Sequence, residues 1–169
     1  NTAVVQALLD NLLARGLDPT VSRLFVVDGA KALSKAIRRT FGGDTLIQRC
    51  QVHKARNITE RIAKPLHASV RKVLRQAWEL SDPAKAERLI RNLARRLEYE
   101  APGVSGSILE GIDEILTVNR LGLPADAWPT RDLLDPELSN RLGAILGEGD
   151  ISVLHPFSPQ SSSKLSHLE

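Results

Sequence analysis

Leu24-Phe25-Val26-Val27-Asp28-Gly29-Ala30 constrains this chain more than any other stretch. Four consecutive apolar residues, two of them Val and one Phe, are what a strand covered on both faces requires. They run straight into an acidic residue followed by Gly, which puts the Asp28 carboxylate at a strand's C-terminal end. Open α/β sheets place their chemistry there, because strand ends and the loops after them form the crevice. A second strand candidate, residues 45–50, follows after one helix and leads into Cys50-Gln51-Val52-His53-Lys54. Strand, helix and strand make a βαβ unit, with parallel strands and a right-handed crossover. Two strands then deliver polar residues to one edge.

The rest of the pattern is helical. Val4, Val5, Leu8, Leu9, Leu12 and Leu13 recur at helical spacing, and Gly16 with Asp18-Pro19 stops them. Between the strands, Leu33, Ala36, Ile37 and Phe41 share one face and Lys31, Lys35, Arg38 and Arg39 the other, with Gly42-Gly43 closing the helix. Ile58, Ile62 and Leu66 mark a short helix that Pro65 weakens or ends, and Val70, Val73, Leu74, Ala77 and Trp78 mark a second. Ser81 or Asp82 caps the next, with Pro83 at an early helical position and Leu89, Ile90, Leu93 and Leu97 on its face. Residues 108–116 read as one more helix, weakened by Gly111. Beyond Pro124 the chain is punctuated by Pro, with a short helix expected over residues 139–146 and disorder over the Ser-rich last dozen.

Composition adds three bounds. Aromatics are only 4%, so the core is built from Leu, Ile, Val and Ala. No apolar run approaches the roughly 20 residues of a membrane-spanning helix, and the N-terminus reads as neither signal peptide nor anchor, so the expectation is a cytoplasmic protein without a membrane partner. The single Cys forms no internal disulfide, which is compatible with a reducing compartment. Charge is segregated: residues 49–96 hold 13 Lys and Arg against 4 acids, and residues 97–169 hold 4 against 12. The basic stretch is either a polyanion-binding surface or a set of solvated helix faces.

Taken singly, the chemical signals stay open. Asp28 serves as a metal ligand, a nucleophile, a ribose binder or a plain helix cap, and spacing alone favours the cap. Cys50 and His53 have the spacing of half a zinc site, but structural zinc takes four ligands, and His67, His155 and His167 show no partner spacing. A buried thiol and a strand-end His are the simpler reading. Asp28-Gly29 and Gly42-Gly43 do not continue into a phosphate-binding loop or dinucleotide fingerprint.

Three blocks together carry more: residues 24–33, the Gln48-Arg49-Cys50-Gln51-Val52-His53-Lys54-Ala55-Arg56-Asn57 block, and Leu116-Thr117-Val118-Asn119-Arg120-Leu121-Gly122-Leu123-Pro124. In that order they closely resemble the Mutator-type transposases of bacterial insertion sequences, over roughly residues 1–124. The resemblance implies an α/β fold: a partial RNase H-like βαβ core over 1–54, a basic and mostly α-helical insertion over 55–124, and a divergent, irregular tail over 125–169. In that family an Asp, Asp, Glu set holds two divalent cations, Mg²⁺ or Mn²⁺, that activate a water or a 3′-hydroxyl against a DNA phosphodiester.

Carried over residue by residue, Asp28 resembles the second acid and is the candidate catalytic and metal-binding residue. Cys50 and His53 resemble the family signature, in a role supporting the active-site edge, with no metal binding assigned to them. Lys54, Arg56, Arg61, Arg71, Lys72 and Arg75 become the candidate DNA contacts. The resemblance departs in two places. The first acid belongs on a strand upstream of Asn1. The final Glu belongs shortly after Pro124, where the chain instead reads Ala125-Asp126-Ala127-Trp128, a loss of pattern that points to a frameshifted or fused end. Glu110 and Glu114 precede that point and Glu137 lacks the surrounding pattern, so none of the three is promoted. One Asp does not assemble two cations, so the expectation is a transposase fragment that is inactive alone and does not hold the metals productively. The alternative is a non-catalytic remnant that binds DNA or intact transposase subunits; on either reading the expected DNA is insertion-sequence ends and target, and the expected location cytoplasmic and nucleoid-associated. A small α/β hydrolase with Asp28 as nucleophile ranks last. A sheet lacking its leading strands also exposes an unpaired edge, from which aggregation or dependence on a partner is expected.

Overall fold

The computed structural model describes residues 2–122 and 150–153. The order is α1 (Thr2–Ala14), β1 (Arg23–Val27), α2 (Lys31–Phe41), β2 (Leu46–Arg49), α3 (Gln51–Thr59), a 3₁₀ turn (Lys64–Leu66), α4 (His67–Glu79), α5 (Pro83–Glu100), α6 (Pro102–Leu109), α7 (Ile112–Ile115), α8 (Thr117–Arg120) and β3 (Asp150–Val153). It is a mostly helical α/β architecture around a small parallel sheet of order β2-β1-β3.

Every residue of β1 is buried, as its unbroken apolar run requires. It pairs in parallel with β2 across α2, Leu24 opposite Leu46 and Val27 opposite Arg49, as expected of the strand–helix–strand unit. On its other side β1 pairs in parallel with β3, Leu24 opposite Ile151. The unpaired edge expected of the sheet therefore does not lie on β1, where a short strand from the tail supplies a second ladder. The expected helix at 139–146 and the disordered last dozen residues lie outside the described residues.

Two apolar clusters lie among the described residues. Leu9, Phe25, Val27, Leu33, Ala36, Ile37 and Ile47 pack α1 and α2 onto the sheet. Ile58, Val70, Leu74, Ile90, Leu93, Leu97, Ile108 and Leu116 anchor the second, among the helices. In α5, Asp82 is the cap, its carboxylate accepting from the Ala84 and Lys85 amides at 2.9 and 3.1 Å.

Polar cross-links join the clusters. Gln48, fully buried on β2, donates to the Ile115 carbonyl at 2.8 Å and accepts from the Val118 amide at 3.0 Å. Thr117 donates to the Ile47 carbonyl at 2.6 Å. Asn119 donates to the Trp78 and Leu80 carbonyls at 3.1 and 2.8 Å, satisfying groups at the end of α4 that the helix itself leaves open. Two sequence blocks far apart in the chain thus meet as scaffold.

Two sequence expectations change. His53 belongs to the first turn of α3 rather than a strand end, because the helix starts directly after Cys50. The single helix expected over 108–116 is two, α6 and α7, separated by Gly111 in the left-handed region at φ 67°. Glycine carries no Cβ to oppose that conformation.

Candidate functional site

At the C-terminal end of β1 the Cys50 amide donates to the Val27 carbonyl at 2.7 Å, which sets the head of α3 beside Asp28. Asp28, half-buried, accepts from the Ala30 amide at 2.9 Å in a turn before α2, and Gly29 makes that turn at φ 99°. The residue flanking α2 is Ala30, whose side chain makes no capping bond, so Asp28 orders the loop rather than the helix start itself.

A pocket of about 330 Å³ opens here, lined by Asp28, Gly29, Ala30, Arg49, Cys50, Lys54, Asn57, Ser107 and Glu110. Cys50 therefore shares the pocket with Asp28, whereas His53, one helical turn on, is not among its lining residues. Glu110, which the sequence pattern does not promote, does line it. The break at Gly111 ends α6 and leaves Glu110 at its terminus, facing Lys31 at 2.6 Å. A hydrogen bond from Lys31 holds the Glu110 carboxyl below the usual carboxylate range. Partial desolvation opposes this, and the charges of Lys31, Arg49 and Lys54 assist it.

Arg49 and Lys54 give the pocket a positive wall. Arg49 Nε donates to Glu114 Oε2 at 2.6 Å, and Arg38 reaches the other oxygen of Glu114 at 2.6 Å. Glu114 is thus a buried counterion joining α2, β2 and α7, away from the pocket lining. Lys54 is also buried, and its ammonium donates to the Ser107 carbonyl and, at 3.1 Å, to that of Glu110. Desolvation, then repulsion from Arg49, pulls its pKa down to about 8, against attraction from Glu110. Lys54 accordingly ties α3 to α6 and does not stand on the outer surface with the arginines.

Among the other candidate DNA contacts, Arg56, Arg61, Arg71, Lys72 and Arg75 lie on α3, just after it, and on α4, and all five are exposed. Arg56, Arg71 and Arg75 line one groove, whereas Arg61 and Lys72 do not.

These placements acquire a context from known proteins. The family model described as "Transposase, Mutator family" matches residues 1–129. The chain belongs to the Mutator family of transposases. It is 27% identical over 121 residues to a protein of Acidithiobacillus ferrooxidans named "Transposase for insertion sequence element IST2". That alignment covers 72% of this chain and 40% of the relative, so the chain spans well under half the length of the curated relative it matches. No solved structure matches. For this Mutator-family chain, the Gln48 and Thr117–Asn119 positions prove to be scaffold, and Asp28 lines the pocket at the end of β1. Among the described residues no helix is long and apolar enough to cross a membrane.

Proposed function

We propose that this chain is a portion of a DNA transposase, with Asp28 one acid of an RNase H-like catalytic core and the outward-facing cations of α3 and α4 its DNA-contacting face. One observation carries the reading. α3 starts on the Asp28 pocket with Cys50 at its head, and farther along it presents Arg56 to a groove shared with Arg71 and Arg75. A backbone held by those arginines would lie near the acid. The parallel βαβ unit with its carboxylate at the strand tip supports the RNase H-like reading.

In such a core two divalent cations, Mg²⁺ or Mn²⁺, supply Lewis acidity and an activated oxygen nucleophile. The donor set described here does not fit that pair by itself. Asp28 and Glu110 are the carboxylates on the pocket, Glu110 is engaged by Lys31, and no group of three His, Cys, Asp or Glu side chains among the described residues is placed to hold a metal ion. On the donors of the described residues, the reading we propose is DNA binding without cutting.

The test has two arms. If Arg56, Arg61, Arg71, Lys72 and Arg75 all engage phosphates, raising salt from 50 to 200 mM lowers duplex affinity by roughly 500-fold. Plasmid nicking with Mg²⁺ or Mn²⁺ stays at background for the wild type and for Asp28→Ala alike. Metal-dependent nicking that Asp28→Ala abolishes would overturn the non-cutting reading, and salt-insensitive or absent DNA binding would overturn the interface.

A further inference from the structure

The groove between α3 and α4 has more structure than a phosphate track needs. It encloses about 720 Å³ and is lined by Gln51, Val52, Ala55, Arg56, Arg71, Arg75, Trp78 and Glu79. Duplex backbone asks only for cations on a convex or gently curved face. This surface instead offers a concavity of the size that encloses a small organic ligand.

Its polar groups are unusual. Gln51 is 2% exposed, yet neither its amide nitrogen nor its amide oxygen has a hydrogen-bond partner, and the indole Nε1 of the half-buried Trp78 also lacks one. Buried polar atoms are nearly always paired, so three such atoms on two residues of one groove mark a place where a ligand's donors and acceptors are wanted. Val52, two-thirds exposed, adds an apolar flank. Three guanidinium groups line the groove with the carboxylate of Glu79, and although Arg56 also pairs with Glu60 at 3.8 Å the rim stays net positive.

A cationic rim, an aromatic wall and an unsatisfied amide together match an anionic, planar, polar-edged group. We propose that this groove receives an unpaired nucleotide of DNA, with Arg56, Arg71 and Arg75 on its phosphates, the base against Trp78, and the Gln51 amide on the base edge. A fully paired duplex keeps its bases stacked inside and leaves Gln51 and Trp78 without partners. The inference rests on the DNA-binding reading above and adds to it the state of the strand that is bound. It also divides the basic residues into two groups, since Arg61 and Lys72, outside the groove, make phosphate contacts that any duplex satisfies.

Trp78 reports directly. Trp128 is the second of two tryptophans, so Trp128→Phe in the full chain leaves Trp78 as the sole indole. Titration with a short single-stranded oligonucleotide, and with a duplex carrying one unpaired nucleotide, is expected to quench its fluorescence saturably. The same duplex fully paired is expected to bind at least about tenfold more weakly under equal salt and without quenching. Arg71→Ala with Arg75→Ala, both exposed and so compatible with folding, is expected to weaken single-strand binding and lower the salt slope by about 1.4. Equal affinity for paired and unpaired DNA, with the Trp78 emission unchanged, overturns this inference and leaves the DNA-binding face standing. Absence of any DNA binding overturns both, and quenching by an acidic peptide of the same charge but not by DNA overturns both in favour of a protein ligand.

Discussion

Gly111→Ala tests the junction that brings Glu110 to the pocket. Gly111 sits at φ 67°, and a Cβ built there falls 2.5 Å from Arg49 Cζ and 2.6 Å from Nε. Such distances force movement, and the tip of a free arginine would swing away at little cost. This tip is not free: the Arg49 side chain is 12% exposed and bonded to Glu114 at 2.6 Å. Two costs therefore add. A left-handed alanine costs about 1–2 kcal/mol. Displacing Arg49 breaks a buried ion pair whose loss would cost about 3–5 kcal/mol were the partner deleted, and less here because Arg38 stays on Glu114. The sum is about 3 kcal/mol, which for a chain of this size lowers Tm by roughly 6–12 °C. Urea unfolding followed by far-ultraviolet circular dichroism measures it. Gly106→Ala, inside α6 with open space around it, is the control and should be neutral or gain up to about 1 kcal/mol. Because both changes break the same pair, Gly111→Ala and Glu114→Gln should combine less than additively. A loss below about 1 kcal/mol for Gly111→Ala, or strict additivity with Glu114→Gln, would show that the Arg49 contact does not hold the junction.

Lys54 gives a pH signature: its pKa is about 8 folded against 10.5 for an unperturbed lysine, so between those values the unfolded chain binds more protons and stability rises with pH. Relative to Lys54→Gln, the wild type should gain about 1–2 kcal/mol from pH 8 to 10, less than the full shift is worth because the pocket opens to solvent; a flat difference would refute the desolvated ammonium. Asp82→Ala removes the cap of α5 and should cost about 1 kcal/mol by thermal melting, with Asp82→Asn recovering most of it. Gln48→Leu leaves the Ile115 carbonyl and Val118 amide without their buried partners and should cost about 2–4 kcal/mol, seen as a lower urea midpoint at unchanged slope.

Local features are legible in the sequence and returns of the chain are not. β1 is readable because burial on both faces leaves an apolar run, and the cap of α5 because Asp82-Pro83 has little alternative use. His53 reads as a strand-end residue because nothing in Cys50-Gln51-Val52-His53 marks where extended backbone stops; the turn is made at Cys50 itself, with φ −58° and ψ 118°. Gly111 is visible as a weak point, but only the fold shows that the break directs Glu110 to Asp28's pocket and Glu114 to two arginines. Lys54 resembles its basic neighbours in sequence and differs by facing inward from α3. β3 escapes a sequence reading because a four-residue strand in a Pro-punctuated tail leaves too short an alternation to detect.

Arg49 belongs to two structures at once. Its guanidinium borders the pocket that Asp28 opens onto, and the same group neutralises Glu114 inside the scaffold. An anion arriving in the pocket would bid for a cation already in use, loosening the tie between β2 and α7 as it docks. Occupancy and rigidity are therefore coupled through one side chain, and a phosphate bound there should be felt at the far side of Glu114, in the grip of Arg38 on α2.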